Sequence, residues 1–310
     1  IKVLLQSDTQ NLEEVVVTAM GITRSEKTLG YSATTVKADE IISSRTTNVA
    51  DALSGKVAGL SVSSTSSDPG SVSNIVIRGF SSINGSNQPL YVVDGVPLQN
   101  NMVSGDGKNV ATGGISSVAS EDIASMTVLK GAAATALYGS RAANGVIVIT
   151  TKSGKKGDGR NFSISYSGNV QARMVSFLPE MQNSFGQGWN GAQTYIENGS
   201  WGPRLDGSMQ VYGPIWNNQQ LIHEYSAKEN NVKDFFDPGW SQNHTISLSG
   251  VSSDTKMDYY LSYSFTKDDG IMPKDYDTYE RNTVAFRGGY EATDWLKVSS
   301  SLNFARSQTD

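Results

Sequence analysis

Few residues in this chain are placed to do chemistry. The string Lys274–Glu280 (KDYDTYE) spaces three acids closely enough to attract a hard cation. It lacks the spacing and the glycine of an EF-hand loop, so the reading there is a solvated turn ahead of a weak Ca²⁺ site. His223 and His244 lie far apart with no ligand cluster around either, and His244, at the start of a strand, reads as structural. No G-x-S-x-G, H-E-x-x-H, phosphate-loop or dinucleotide fingerprint occurs, and no carboxylate pair suits glycoside hydrolysis. With no cysteine, thiol catalysis, disulfides and cysteine metal sites drop out. No catalytic residue is assigned and no cofactor is expected; the string lends no support to a structural Ca²⁺.

Recognition chemistry is better represented. The stretches FGQGWNG, GSWGPRLDG and VYGPIWN hold Trp189, Trp201, Arg204, Tyr212 and Trp216. Flat aromatic faces of this kind suit stacking on sugars or peptide side chains. They equally suit packing of the loop against itself or a partner. Three charged residues stand out in apolar or small-residue settings. Arg78 and Asp94 each follow an apolar strand directly, and Arg141 lies in GAAATALYGSRAANG. Each fits surface charge or an ion pair within its own domain.

The elements that must position these residues fall into two halves. Of the 27 aromatic residues, 23 lie in residues 161–310, and the charged, Gly-rich KSGKKGDGR marks a boundary near 152–160. Within the first half, residues 1–9 alternate as one strand, and Val15–Val17 favour extended backbone on a mobile arm. Such a segment can be an ordinary strand or can add to another protein's sheet edge. Residues 23–63 predict a short strand and then helix, with Thr47 or Asn48 capping a helix whose apolar positions are Val49, Leu53 and Val57. Strands are expected at Ile75–Arg78, Leu90–Val93, IASMTVLK and Val146–Thr150. Ser120, Glu121 and Asp122 resemble a helix start.

The second half alternates apolar and polar residues in five runs, beginning at Phe162, Thr245, Met257, Val284 and Leu296. A period of two gives one greasy and one polar face. Runs of roughly ten residues suit a tilted membrane strand, and the polar face of Ser, Thr, Asn and Asp suits a wet lumen. Tyr259, Tyr290 and Trp295 near strand ends fit an interfacial girdle. Tight turns at SSDT and EATD contrast with one long excursion over residues 176–240. A net charge of -5 without a basic patch argues against nucleic acid. No run approaches the roughly 18 apolar residues of a membrane helix. No cleavable signal peptide is read, and Ile1 fits a mature or trimmed chain.

Taken together, LEEVVVTAMGI, N-x-x-D-A-L-x-G-x-x-x-G, IRG, LYVVDGVP and ALYGSRAANGVIVITTKSG resemble the SusC/RagA family of TonB-dependent outer-membrane transporters. The likeness spans essentially all 310 residues. It implies an α+β plug domain followed by antiparallel transmembrane β-barrel strands, part of a plugged barrel of about 22 strands. Residues 1–11 would end a carboxypeptidase-regulatory-like domain or linker. Residues 12–22 would be the TonB box and tether, 23–153 the plug, and 154–310 the first barrel strands and outer loops. Five strands cannot close in lipid, so a longer polypeptide or a separately supplied remainder is expected.

The resemblance assigns TonB binding to Glu14, Val15, Val16, Val17, Thr18 and Ala19. Plug–barrel contacts fall to Arg78, Asp94 and Arg141, and substrate contact to the loop aromatics and Arg204. It implies import across the bacterial outer membrane, with a SusD-like lipoprotein and the TonB C-terminal domain as partners. Paired transporter–lipoprotein units are also implied. The cargo expected first is a glycan, and a peptide second. A surface β-sandwich adhesin is the rival from another class; it would need no detergent.

Overall fold

A computed structural model describes residues 15–17, 23–25, 32–44, 48–64, 69–71, 73–98, 104–105, 109–110, 114–131, 138–154, 162–194, 196 and 198–309. Two short strands, β1 (Val15–Val17) and β2 (Thr23–Ser25), pair antiparallel. Next come β3 (Ser32–Lys37), helix α1 (Ala38–Ser43), β4 (Leu60–Ser64) and β5 (Ser73–Ile77). They are followed by β6 (Leu90–Val93), β7 (Val96–Pro97) and the small pair β8 (Ser104–Gly105) and β9 (Asn109–Val110). Strands β10 (Ile123–Lys130) and β11 (Val146–Thr151) complete the first half.

The central sheet runs β3-β10-β11-β6-β7, with β11 and β6 parallel and the other neighbours antiparallel. Its inner strands β6 and β11 are apolar on both faces because both faces are covered. Tyr91, Val93, Met126, Ile147 and Ile149 pack with Ile41, Leu53 and Ile75 on one side. Leu90, Val92, Leu129, Val146 and Val148 pack with Ala142 on the other. Strand β6 turns into β7 through Asp94–Gly95, both at positive φ. A two-residue primed turn requires that backbone, and Asp-Gly supplies it.

Two helical expectations are corrected. Val49, Leu53 and Val57 are buried, yet the segment forms only a 3-10 turn at Asp51–Leu53. Gly55 and Gly59 both take positive φ and end any helix before a second turn. Asn48 Oδ1 accepts the N–H of Ala50 (3.0 Å), which stabilises the turn. Likewise Ser120–Asp122 is a single 3-10 turn, because β10 starts at the next residue.

The second half adds β12 (Phe162–Arg173), β13 (Ser208–Trp216), β14 (Gln219–Tyr225), β15 (Gly239–Val251), β16 (Met257–Asp269), β17 (Thr278–Thr293) and β18 (Leu296–Thr309). The five alternating runs expected from sequence make one sheet, β12-β15-β16-β17-β18. Its registered neighbours are antiparallel, and its last four strands are 13, 13, 16 and 14 residues long. Those lengths exceed the 9–11 residues that span a bilayer. The central sheet and this long sheet form one compact unit, and residues Arg173–Gly239 with Ile271–Asp275 form another. The second unit contains the β13–β14 hairpin. Among the described residues no helix is long and apolar enough to cross a membrane.

Candidate functional site

Strand register sorts the long sheet into rows. Ile246, Tyr263, Val284 and Phe304 align across four strands, as do Leu248, Leu261, Phe286 and Leu302. Most members of these rows are exposed. The alternate positions carry Thr245, Ser262, Ser264, Thr266, Asp268, Arg281, Thr283 and Arg287, all buried. A water-soluble sheet would bury its greasy rows and solvate the polar ones. Here the sign is reversed, as it is for a sheet with lipid outside and protein inside. The one histidine on the outward side, His244, is satisfied locally: Tyr166 stacks on it and its hydroxyl lies 2.8 Å from Nδ1.

What covers the polar face is the N-terminal domain. Gly70 presses on the ring of buried Tyr279 in β17, where any Cβ would collide with it. The Tyr260 hydroxyl donates to Asp122 Oδ1 at 2.8 Å. Arg287 reaches Asp94 Oδ2 through Nε at 3.4 Å and Asn303 Oδ1 through Nη2 at 3.0 Å, and its guanidinium lies 5.9 Å from the Tyr260 ring centre. Asp94 is held in turn by the N–H of Thr151 (2.9 Å) and by the Thr151 hydroxyl. Asn243 and Thr266 (2.8 Å), and Thr245 and Ser264 (2.8 Å), satisfy one another along the wall. The wet lumen expected from sequence is therefore a largely protein-filled seam at this wall. A cavity of about 270 Å³ remains, lined by Asp39, Glu121, Asn169 and Asn243 among others. Glu121 Oε2 is buried there with no hydrogen-bond partner among the described residues. Burial raises its carboxyl pKa above the ordinary range, against the pull of Arg281 and Lys152.

Of the residues singled out in sequence, Asp94 lies in this seam. Arg78 and Arg141 are exposed on the N-terminal domain. Arg78 lies beside Gly131, and its charge, second to burial, lowers the pKa of Lys130. The Lys130 ammonium instead donates to the Ala58 carbonyl (2.8 Å) and Thr34 Oγ1 (3.1 Å). Val15, Val16 and Val17 form β1, whereas Glu14, Thr18 and Ala19 lie outside the described residues. In the second unit Trp201 packs on Phe185 (5.7 Å, 40°), and Phe185 bridges to Arg204. Trp189 bridges to Ala192 and Trp216 is exposed, while for Tyr212 only its place in β13 is described. That unit holds a cavity of about 770 Å³ walled by Leu178, Met181, His223 and Tyr225, and Trp189, Trp201, Arg204 and Trp216 are not among its lining residues. The acids of Lys274–Glu280 do not gather: Asp275 is exposed in the turn Pro273–Asp275, and Glu280 accepts from Asn282 (3.0 Å). No three His, Asp or Glu among the described residues are placed to share a metal ion.

Arg287, Tyr260 and Asp122 were missed as site residues. Arg287 and Tyr260 lie on the polar face of alternating strands, where sequence alone does not separate a seam residue from a solvated one.

Comparison with known proteins bears on what this seam belongs to. Residues 25–146 match the TonB-dependent Receptor Plug Domain family. The chain is 37% identical over 272 residues to the TonB-dependent receptor SusC of Bacteroides thetaiotaomicron, covering 88% of this chain and 24% of that protein. It is 31% identical over 311 residues to the TonB-dependent receptor P26 of Formosa agariphila, covering 98% of this chain and 28% of that one. The chain thus spans about a quarter of the length of these relatives. In fold it is similar to the RagAB peptide importer in its open-open state, with TM-score 0.72, 24% identity, 96% of this chain and 33% of that chain. It is also similar to the siderophore receptor PirA of Acinetobacter baumannii, with TM-score 0.55, 18% identity, 95% of this chain and 33% of that chain.

Proposed function

Because the chain belongs to the SusC/RagA type of TonB-dependent outer-membrane transporter, we propose that it supplies the plug and first wall strands of an active nutrient importer. The observation that carries the reading is the reversed burial of the long sheet. The greasy rows are the ones left exposed, as lipid-facing rows would be, and the N-terminal domain fills the polar side. Such a wall with a seated plug is a closed gate; it can bind and release cargo but contributes no bond-breaking group. In this reading Glu14, Val15, Val16, Val17, Thr18 and Ala19 form the segment that TonB grips. Main-chain pairing would carry that affinity, and Val15–Val17 already adopt strand geometry with β2.

Two features favour a glycan cargo taken with a SusD-like lipoprotein. Trp201 and Trp216 are exposed, offering flat faces to pyranose rings. The β13–β14 hairpin also exposes Met209, Ile215, Leu221 and Ile222, an apolar surface that a covering partner would bury. The test is native mass spectrometry of the full-length complex drawn from outer membranes in detergent. A co-purified ladder in hexose-sized steps, with a lipoprotein attached, is expected. Amino-acid-sized steps would replace the glycan with a peptide. Recovery of the chain in the soluble fraction, without a lipoprotein, would overturn the transporter reading. The same spectra report whether transporter–lipoprotein pairs assemble as dimers.

A further inference from the structure

Strands that close the wall join it at its edges, so they leave its outward face uncovered. The rows on that face change character along the strands. Beyond the greasy rows, His244, Phe265, Asn282 and Arg306 align, and after them Gln242, Lys267, Glu280 and Gln308. Toward the opposite end the rows are Gly250, Tyr259, Gly288 and Ser300, then Met257, Tyr290 and Val298. These last two rows carry no charge. The charged end is also the end with the long connections. Residues 270–277 join β16 to β17 there, and the long excursion over residues 176–240 enters β15 there, whereas SSDT and EATD close the other end. Long connections lie outside the cell in such barrels. The charged rows therefore meet the outer leaflet, an orientation that rests on the importer reading.

Depth agrees with that position. Lys267 lies six positions along β16 from Leu261, near the centre of the greasy rows. Six positions are about 20 Å of strand, which a tilt of roughly 45° turns into about 14 Å of height. The hydrocarbon boundary lies about 15 Å from the midplane. Arg306, four positions from Leu302, lies lower, at about 10 Å, and a long side chain reaches the boundary from there.

The charged rows are tied together. The Tyr263 hydroxyl, from the last greasy row, donates to Asn282 Oδ1 at 2.7 Å, and Asn282 Nδ2 donates to Glu280 Oε1 at 3.0 Å. A cation flanks this chain on either side: Lys267 is the cross-strand neighbour of Glu280, and Arg306 that of Asn282. Both cations are exposed, and among the described residues neither lies within ion-pair distance of an acid. Glu280 and Asp269 bring the face close to neutral there, so what it binds is chosen by local pairing and not by net charge.

We infer that Lys267, Glu280, Asn282 and Arg306 form a binding site for the phosphorylated sugar headgroup of an outer-leaflet lipid. The two cations take phosphate oxygens, Arg306 with its forked donors. The Asn282 amide and the Glu280 carboxylate take sugar hydroxyls. The acyl chains lie along the greasy rows that begin at Val284 and Phe304. The site holds a lipid against the outside of the wall and touches no cargo.

The experiment titrates the full-length protein in detergent with an acylated glucosamine disaccharide carrying two phosphates, and native mass spectrometry counts the bound lipid. Wild type should retain it. The double variant Lys267→Ala/Arg306→Ala should hold about tenfold less, the loss of roughly one charge-assisted bond. The same lipid stripped of its phosphates should bind wild type equally weakly, and Arg306→Lys should keep part of the binding. Should the double variant fail to insert, Lys267→Gln and Arg306→Gln are each expected to lower the count. Equal counts in wild type and variants overturn the site. Displacement by inorganic phosphate, or by the deacylated disaccharide phosphate as effectively as by the lipid, assigns a soluble anion and overturns it as well. So does a double variant that keeps its lipid and sheds an attached lipoprotein, which makes the row a protein contact. All of these are read on inserted protein without cargo, so a failed site leaves the importer reading standing. Recovery of the chain in the soluble fraction is the separate result that ends that reading.

Discussion

Along the seam, buried side chains of the wall answer carboxylates of the plug. Arg287 answers Asp94 and Tyr260 answers Asp122. Glu121 is the exception, with one carboxylate oxygen buried and unpartnered among the described residues. Burial raises its folded pKa, so the folded state holds its proton more tightly than the unfolded chain does. The sign follows directly. Above the folded pKa the charged form carries the full desolvation cost. That cost is relieved as pH falls through the folded pKa, and it is gone below the ordinary carboxyl value. Glu121→Gln removes the charge at every pH. In thermal melts of the full-length protein in detergent, the variant should therefore melt higher than wild type at pH 8. The gap should close by about pH 4, below the ordinary glutamate value of roughly 4.3. Equal melting at both values would mean that the carboxylate is hydrated in the seam cavity.

For the strands, the informative quantity is which row of an alternating pattern is covered. Leu261 pairs with Phe286, which pairs with Leu302, in one outward row, while Ser262 beside Leu261 is buried. If lipid faces that row, Leu261→Arg should cost about 2–4 kcal/mol near the bilayer midplane. If the row faced water, the change would fall within about 0.5 kcal/mol. Urea titration of the full-length protein folded into lipid vesicles separates the two, and the larger cost is expected. The plug sheet shows the complementary logic. Its inner strands β6 and β11 are apolar on both faces and cannot be sorted by alternation. The Asp94–Gly95 turn and the parallel pairing of β11 with β6 set its arrangement instead.

For the whole molecule, the long sheet is open. Strands β12 and β18 end it, and an open edge within hydrocarbon leaves backbone N–H and C=O groups unsatisfied. Closure therefore requires further strands beyond these five. Expressed alone, residues 1–310 should give no heat-modifiable, membrane-inserted species on cold gel electrophoresis, whereas the full-length protein should. Stable insertion of the 310-residue chain by itself would show that several copies close the wall together.

Sequence alone determined the alternation, and with it two faces for each of the long strands. It also determined the absence of catalytic motifs and the change of character near 152–160. These are local properties: period two needs only neighbours along the chain, and an aromatic count needs no neighbours at all. Alternation carries no sign, however. Whether the Ser/Thr or the Leu/Phe rows are covered depends on what lies against the sheet, and that is settled by a domain folded from residues more than a hundred positions away. The seam pairs have the same character. Asp94 meets Arg287 across 193 positions and Asp122 meets Tyr260 across 138. Asp94 stood out because it ends a strand, but nothing local distinguishes Arg287 in VAFRGG from a solvated strand residue. Nor could helical spacing alone foresee that the glycines at 55 and 59 would leave Val49, Leu53 and Val57 buried on a single 3-10 turn. Only packing the plug against its wall decided which charges must be paired.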